Sequence, residues 1–210
     1  MGKKMRLCSI DVGVRNLAFV VIDVPETAGP VTAGPVTVRS WVSASTVPAT
    51  TCVRGMCKTD AVEAVVRALE ERAELLECDT VLVEMQPRFA PLNAQTAHAI
   101  VAYFVVRKRV DLDEPVAVHL VHAGKKNAWT RATRTPGHAG PVGRAAKYAR
   151  NKSDSVEACA RVVERGNCAK LARAWAAFKK KDDAADALVQ ALAWLGVPRD
   201  SARAVAAVSM

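Results

Sequence analysis

Five acids stand where an apolar protein would not be expected to put them. Asp11 closes the run Met5-Arg6-Leu7-Cys8-Ser9-Ile10, and Glu84 closes Thr80-Val81-Leu82-Val83. Burying an unpaired carboxylate is costly, so each needs a reason. A turn acid before Gly13 and an exposed strand end would supply one separately. The third element is Lys181-Asp182-Asp183-Ala184-Ala185-Asp186. On a helix Asp183 and Asp186 share a face, and so do Asp182 and Asp186. Acids at a helix N-terminus are also stabilised by the dipole alone. The set taken together argues for chemistry. Converging carboxylates repel one another and their pKa values rise unless cations neutralise them. Hard divalent ions such as Mg²⁺ prefer oxygen ligands. Two of them about 3.5–4 Å apart can activate a water and stabilise a leaving 3′-oxygen in phosphodiester cleavage.

A basic stretch accompanies the acids. Between Pro115 and Ser153 lie Lys125, Lys126, Arg131, Arg134, Arg144, Lys147, Arg150 and Lys152, with no acid among them. Such residues neutralise phosphates and release counterions. Trp129 and Tyr148 sit among them, and an aromatic there can stack on a splayed base. Arg88, just past Glu84, is within reach of a phosphate too. The chain as a whole carries 30 Lys+Arg against 21 Asp+Glu, a net charge of +9, which favours a polyanionic partner.

The elements that would position these residues follow from periodicity. Residues 5–12 and 17–24 read as strands, and 36–42 as a returning third. The tandem pentapeptide Ala-Gly-Pro-Val-Thr at 28–32 and 33–37 forms a loop or hairpin extension near 25–37. A helix is expected over 60–77, with Asp60 and Glu63 as a capping pair. Residues 80–84 read as a short strand buried on both faces. A helix from about Pro91 to Val110 and a strand over 116–121 come next. Residues 124–152 form the basic, Gly/Pro-rich segment. Helices near 154–165, 170–179 and 181–195 complete the chain. A hairpin start followed by alternating helices and strands argues for a mixed α/β sheet flanked by helices. At 210 residues this is one domain, spanning 1–210, and 50% hydrophobic content excludes a disordered chain.

The longest apolar stretch, Ala99 to Val106, is far below the roughly 20 residues that cross a bilayer, so no membrane role is expected. No secretory signal is visible. Cys8, Cys52, Cys57, Cys78, Cys159 and Cys168 form no C-x-x-C pair and read as reduced intracellular thiols. Cys52 and Cys57 find no second half of a zinc site. His119 and His122 point to opposite faces of a strand-like segment.

Four motifs now resemble one family. Ser9-Ile10-Asp11-Val12-Gly13-Val14-Arg15-Asn16-Leu17-Ala18 is similar to the first motif of RuvC-like Holliday junction resolvases, most of all the branch of poxviruses and other large DNA viruses. Val83-Glu84-Met85-Gln86-Pro87 resembles the second motif of that branch. Tyr148 to Ala158 resembles its basic segment leading into a helix, and Asp182-Asp183-Ala184-Ala185-Asp186-Ala187 its closing motif. The motifs run in family order from residue 9 to 187. The resemblance implies an RNase H-like fold with a five-stranded mixed sheet. It also implies a homodimer and Mg²⁺-dependent paired nicking of four-way DNA junctions during recombination or the resolution of replication intermediates. It assigns the catalytic and metal-binding acids to Asp11, Glu84, Asp183 and Asp186, with two Mg²⁺ per site (Mn²⁺ accepts the same ligands). Lys152 matches a basic residue assisting at the scissile phosphate. Lys125, Lys126, Trp129, Arg131, Arg134, Lys147, Arg150 and Arg88 then form the nucleic-acid surface. A poxvirus-like protein would work at cytoplasmic viral replication sites.

Three other readings compete. An RNase H-type ribonuclease acting on RNA–DNA hybrids would use the same acids. A non-catalytic junction-binding protein would need only the basic segment and leave the acids unexplained. Asp11-Val12-Gly13 also suits actin-like phosphotransferases, but those need two such domains. Gly124-Lys125 lacks the remainder of a Walker loop, so no nucleotide cofactor is expected.

Overall fold

The computed structural model describes residues 4–25, 36–87, 89–131, 143–197 and 205–207. Most of the pentapeptide repeat (26–35), Arg88, Arg134 and the Gly/Pro-rich stretch 132–142 lie outside the described residues. The strands are β1 (Lys4–Asp11), β2 (Asn16–Pro25), β3 (Val36–Ser45), β4 (Thr80–Glu84), β5 (Ala117–Val121) and β6 (Val205–Ala207). The helices are α1 (Lys58–Glu70), α2 (Pro91–Val105), α3 (Ala123–Arg131), α4 (Arg144–Arg165), α5 (Ala169–Ala177) and α6 (Lys181–Trp194).

β1 is the centre of the sheet, whose order is β5-β4-β1-β2-β3-β6. It pairs antiparallel with β2 and parallel with β4. The expected mixed five-stranded sheet is therefore present, with the short β6 added in parallel on β3. β1, β2 and β4 are apolar almost throughout because both sheet faces are covered. Cys8, Ile10, Phe19, Val81 and Val83 pack on Val65 and Leu69 of α1 and Ile100 and Phe104 of α2. Leu7, Val20, Ile22 and Leu82 pack on the other side, against α4, α5 and α6.

Side chains alternate along a strand. The row Leu7-Ser9-Asp11 therefore faces α6, and so does Leu82-Glu84. Ile10 lies opposite Val83 in the parallel register, so Asp11 and Glu84, one residue further on, reach the same end of the sheet. α6 is fastened across that side. Trp41 of β3 donates its indole N–H to the Ala184 carbonyl at 3.0 Å and stacks on Trp175 of α5, centroids 5.5 Å apart. Phe178 closes the aromatic group edge-on to both rings.

Several expected boundaries shift. The helix expected over 60–77 is α1, ending at Glu70, with a separate 3-10 turn at Ala73–Leu75. Its N-cap is Cys57, with no side-chain cap. Asp60 and Glu63 form no capping box, and Glu63 instead pairs with Arg67 at 2.7 Å. α2 stops at Val105 and widens into a π-helical turn over Val106–Asp111. That turn brings Lys108 inward to the Leu76 carbonyl (2.8 Å) and Glu114 (2.5 Å). Within 124–152 the chain forms α3 and the first turns of α4, which begins at Arg144 rather than near 154. Ala145 to Ala149 are all exposed, so no apolar periodicity marks this helix start. No helix among the described residues is long and apolar enough to cross a membrane.

Trp41 joins three elements, so its loss should be felt globally. Trp41→Ala is expected to cost about 3–5 kcal/mol in urea unfolding. Trp41→Phe, which keeps an aromatic ring but not the bond to Ala184, should cost about 1 kcal/mol.

Candidate active site

β1 ends at Asp11 and turns at once into β2. The turn is tight: a Cβ on Gly13 would lie 2.4 Å from the Asn16 carbonyl oxygen, so only glycine fits there. Asp11 and Glu84 share a hydrogen bond. From the other direction the first two turns of α6 bring Asp182, Asp183 and Asp186. The four acids singled out from the sequence are gathered at one sheet end.

Lys126 of α3 sits among them. It is only 5% exposed, and its ammonium lies 3.0 Å from Glu84 Oε1 and 3.0 Å from Asp186 Oδ2. Burial would lower its pKa, but Asp186, Glu84 and Asp11 together outweigh this and raise it. Lys126 was expected on the nucleic-acid surface; the structure places it inside the acid cluster. A buried ammonium is tolerated there because two carboxylates pair with it.

The carboxyls are shifted according to their surroundings. Burial pushes the Asp11 carboxyl well up, helped by its bond to Glu84. Burial would raise Glu84 too, but the Lys126 ammonium and the Asp11 bond hold it below the usual range. The two carboxyls are thus pushed in opposite directions, Asp11 up and Glu84 down. Burial raises Asp186 as well, against the opposing pull of Lys126 and the Ser155 hydroxyl. Oδ1 of Asp186 is buried without a hydrogen-bond partner.

A second group adjoins the first. Lys152 of α4 pairs with Asp182 and stands 3.7 Å from Asp183. Lys180 reaches Asp183 at 2.5 Å and Asp182 at 3.9 Å. Burial alone would raise the Asp182 pKa, and Lys152 brings it down. Tyr148, largely exposed, holds its ring 5.5 Å under the Lys152 ammonium. Asp182, whose role spacing left open, is the residue that holds Lys152.

The remaining expected contacts scatter. Lys125 and Lys147 are exposed. Arg131 is exposed and donates to the Asn127 carbonyl. Arg150 is half-buried. Trp129 is half-buried against the core and its indole donates to the Val197 carbonyl at 2.9 Å. His119 lies beside Trp194, and His122 accepts the Gly124 N–H. Sequence reasoning missed Lys180, Ser155 and the inward turn of Lys126. Lys180 could have been found, being three residues before Asp183; nothing local marks Ser155.

Five carboxylates here meet three ammoniums. The donor set is all oxygen, its charge is in excess, and Asp186 keeps a buried oxygen unpaired, all of which suit a hard divalent cation. Among the described residues no three His, Cys, Asp or Glu side chains stand in a metal-binding arrangement as they are. The Lys126 ammonium lies within 3.0 Å of both Glu84 and Asp186.

The fold is similar to that of solved Holliday junction resolvases. The yeast mitochondrial Holliday junction resolvase Ydc2 is similar at TM-score 0.59 and 14% identity, over 92% of this chain and 80% of that one. The fowlpox virus Holliday junction resolvase is similar at TM-score 0.57 and 15% identity, over 91% and 99%. The same fowlpox protein in complex with Holliday junction DNA gives TM-score 0.53 at 15% identity. No protein-family model matches the chain, and no curated protein does either.

The raised pKa of Asp11 sets a testable pH dependence. A carboxyl whose folded pKa lies above its unfolded value binds more protons in the native state. Stability then falls as pH rises between the unfolded value, about 3.9, and the raised one. Asp11→Asn removes this loss. In EDTA the variant should melt about 2–4 °C above the unsubstituted protein at pH 8, corresponding to about 1 kcal/mol, with the gap closing toward pH 4.

Proposed function

We propose that this protein is a metal-dependent endodeoxyribonuclease that resolves four-way DNA junctions by paired nicks. The observation that carries the proposal is the gathering of Asp11, Glu84, Asp183 and Asp186 at one sheet end, on the fold of the Holliday junction resolvases. Those four acids would hold Mg²⁺, two per site. When bound, such ions supply an activated water and a positive partner for the leaving 3′-oxygen.

The chain's own residues have definable tasks in this reading. Glu84 and Asp186 present carboxylate oxygens, each paired with Lys126 at 3.0 Å. Asp11, whose carboxyl burial pushes up, would be held ionised by a bound cation, because positive charge lowers its pKa. Lys152, steadied by Asp182 and Tyr148, offers ammonium protons to a phosphate oxygen at the cluster's rim. Lys125 and Lys147 carry phosphate contacts without base recognition. Two copies related by a two-fold axis would match the near two-fold symmetry of a junction and cut one strand each.

The test is cleavage of end-labelled four-way junction, linear duplex and RNA–DNA hybrid, each with Mg²⁺ or EDTA. Symmetric paired nicks in the junction are expected, lost in EDTA and reduced about a hundredfold or more in Asp186→Asn. Cutting of the hybrid alone would make the protein a ribonuclease. Junction binding without cleavage under Mg²⁺ or Mn²⁺ would overturn the catalytic reading.

A further inference from the structure

Gln190 lies one helical turn beyond Asp186 and is 2% exposed. Its buried neighbours along α6 are Ala187, Leu188, Val189, Ala191 and Leu192. Its side-chain amide donates to Ser9 Oγ at 3.1 Å and to the Ile10 carbonyl at 3.3 Å. Ser9 is itself fully buried, in a β1 row whose other core member is Leu7. Two apolar residues would fill this space without the cost of desolvating an amide and a hydroxyl. What apolar contact does not supply is direction. A helix resting on a sheet through Ala, Val and Leu can slide with little penalty. A hydrogen-bonded pair fixes one register, and buried polar groups leave few alternatives once satisfied.

The register fixed is the one the acids need. Asp11 lies two residues past Ser9, an advance of about 6.6 Å along a strand. Asp186 lies four residues before Gln190, about 6 Å along a helix. α6 passes β1 with Asp186 toward the strand's C-terminal end, so the two displacements run the same way and are nearly equal. Pinning Gln190 to Ser9 therefore sets Asp186 over the end of β1.

We infer that Gln190 and Ser9 form a positioning pair that sets the spacing between the β1–β4 acids and the α6 acids, and so the affinity of the site for divalent cations. The inference rests on the reading that these acids hold such a cation.

The test is Mn²⁺ binding to the purified full chain without DNA, followed by electron paramagnetic resonance of the free ion and by calorimetry. Gln190→Met keeps an unbranched side chain of similar volume but loses both donors. It should weaken Mn²⁺ binding about tenfold, as loss of ligand-orienting partners does. Ser9→Ala leaves the bond to Ile10 and should weaken binding less. The double variant should be no weaker than Gln190→Met, because the two changes remove one interaction. Junction affinity in EDTA should stay within about twofold in all three, since phosphate contacts do not pass through the clamp. A Gln190→Met protein that melts earlier yet binds Mn²⁺ like the unsubstituted chain would overturn the inference and leave the nuclease reading standing. Strictly additive effects of the two substitutions would overturn it as well. Failure of the unsubstituted chain to bind Mn²⁺ would overturn the nuclease reading, and the inference with it.

Discussion

Crowded negative charge at the end of a buried sheet is the constraint to which the rest of this molecule answers. Five carboxylates crowd together there, and three lysines from three different segments meet them, Lys126 from within and Lys152 and Lys180 from the rim. Lys126 is the costliest of these, an ammonium withdrawn almost wholly from solvent. Its position makes sense only with Glu84 and Asp186 on either side. The raised pKa of Asp11 is a second answer to the same problem. Crowding of like charges in this way costs the folded protein stability.

The scaffold holds that charge by simple means. Period-two alternation in β1 and β4 turns Asp11 and Glu84 to one face, and the parallel register levels them. Trp41 ties the start of α6 to β3, while Gln190 ties its middle to β1. Lys152 comes from α4 and Lys126 from α3, so both helices of the basic stretch contribute inward as well as outward.

How much of this was legible in the sequence depends on the kind of signal. The apolar strands and the acids that end them were readable, because burial on both faces leaves an unbroken apolar run that an Asp or Glu interrupts. α3 and the first turns of α4 were not. Ala123 to Arg131 carries no amphipathic stripe, and Ala145 to Ala149 pack on nothing, so the helices rest on Ala, Lys and Arg propensity. Lys126 looked like its neighbour Lys125. Only the turn of α3 against α6 separates the exposed lysine from the buried one. Trp129 carries a second tie the sequence does not show: an aromatic among basic residues suggests a base-stacking platform, and tertiary packing also bonds its indole to Val197.

The distance in sequence between the site's two halves has a consequence for synthesis. Asp186 leaves the ribosome more than a hundred and seventy residues after Asp11. At about 5–20 residues per second, the early strands wait roughly 10–30 s before α6 can cover them. During that interval the Leu7, Val20 and Ile22 side of the sheet has no lid. Until α6 is made, the nascent chain therefore carries an exposed apolar surface and an incomplete acid cluster, so it is a candidate for chaperone capture. Any chain that stops short of α6 shares both properties.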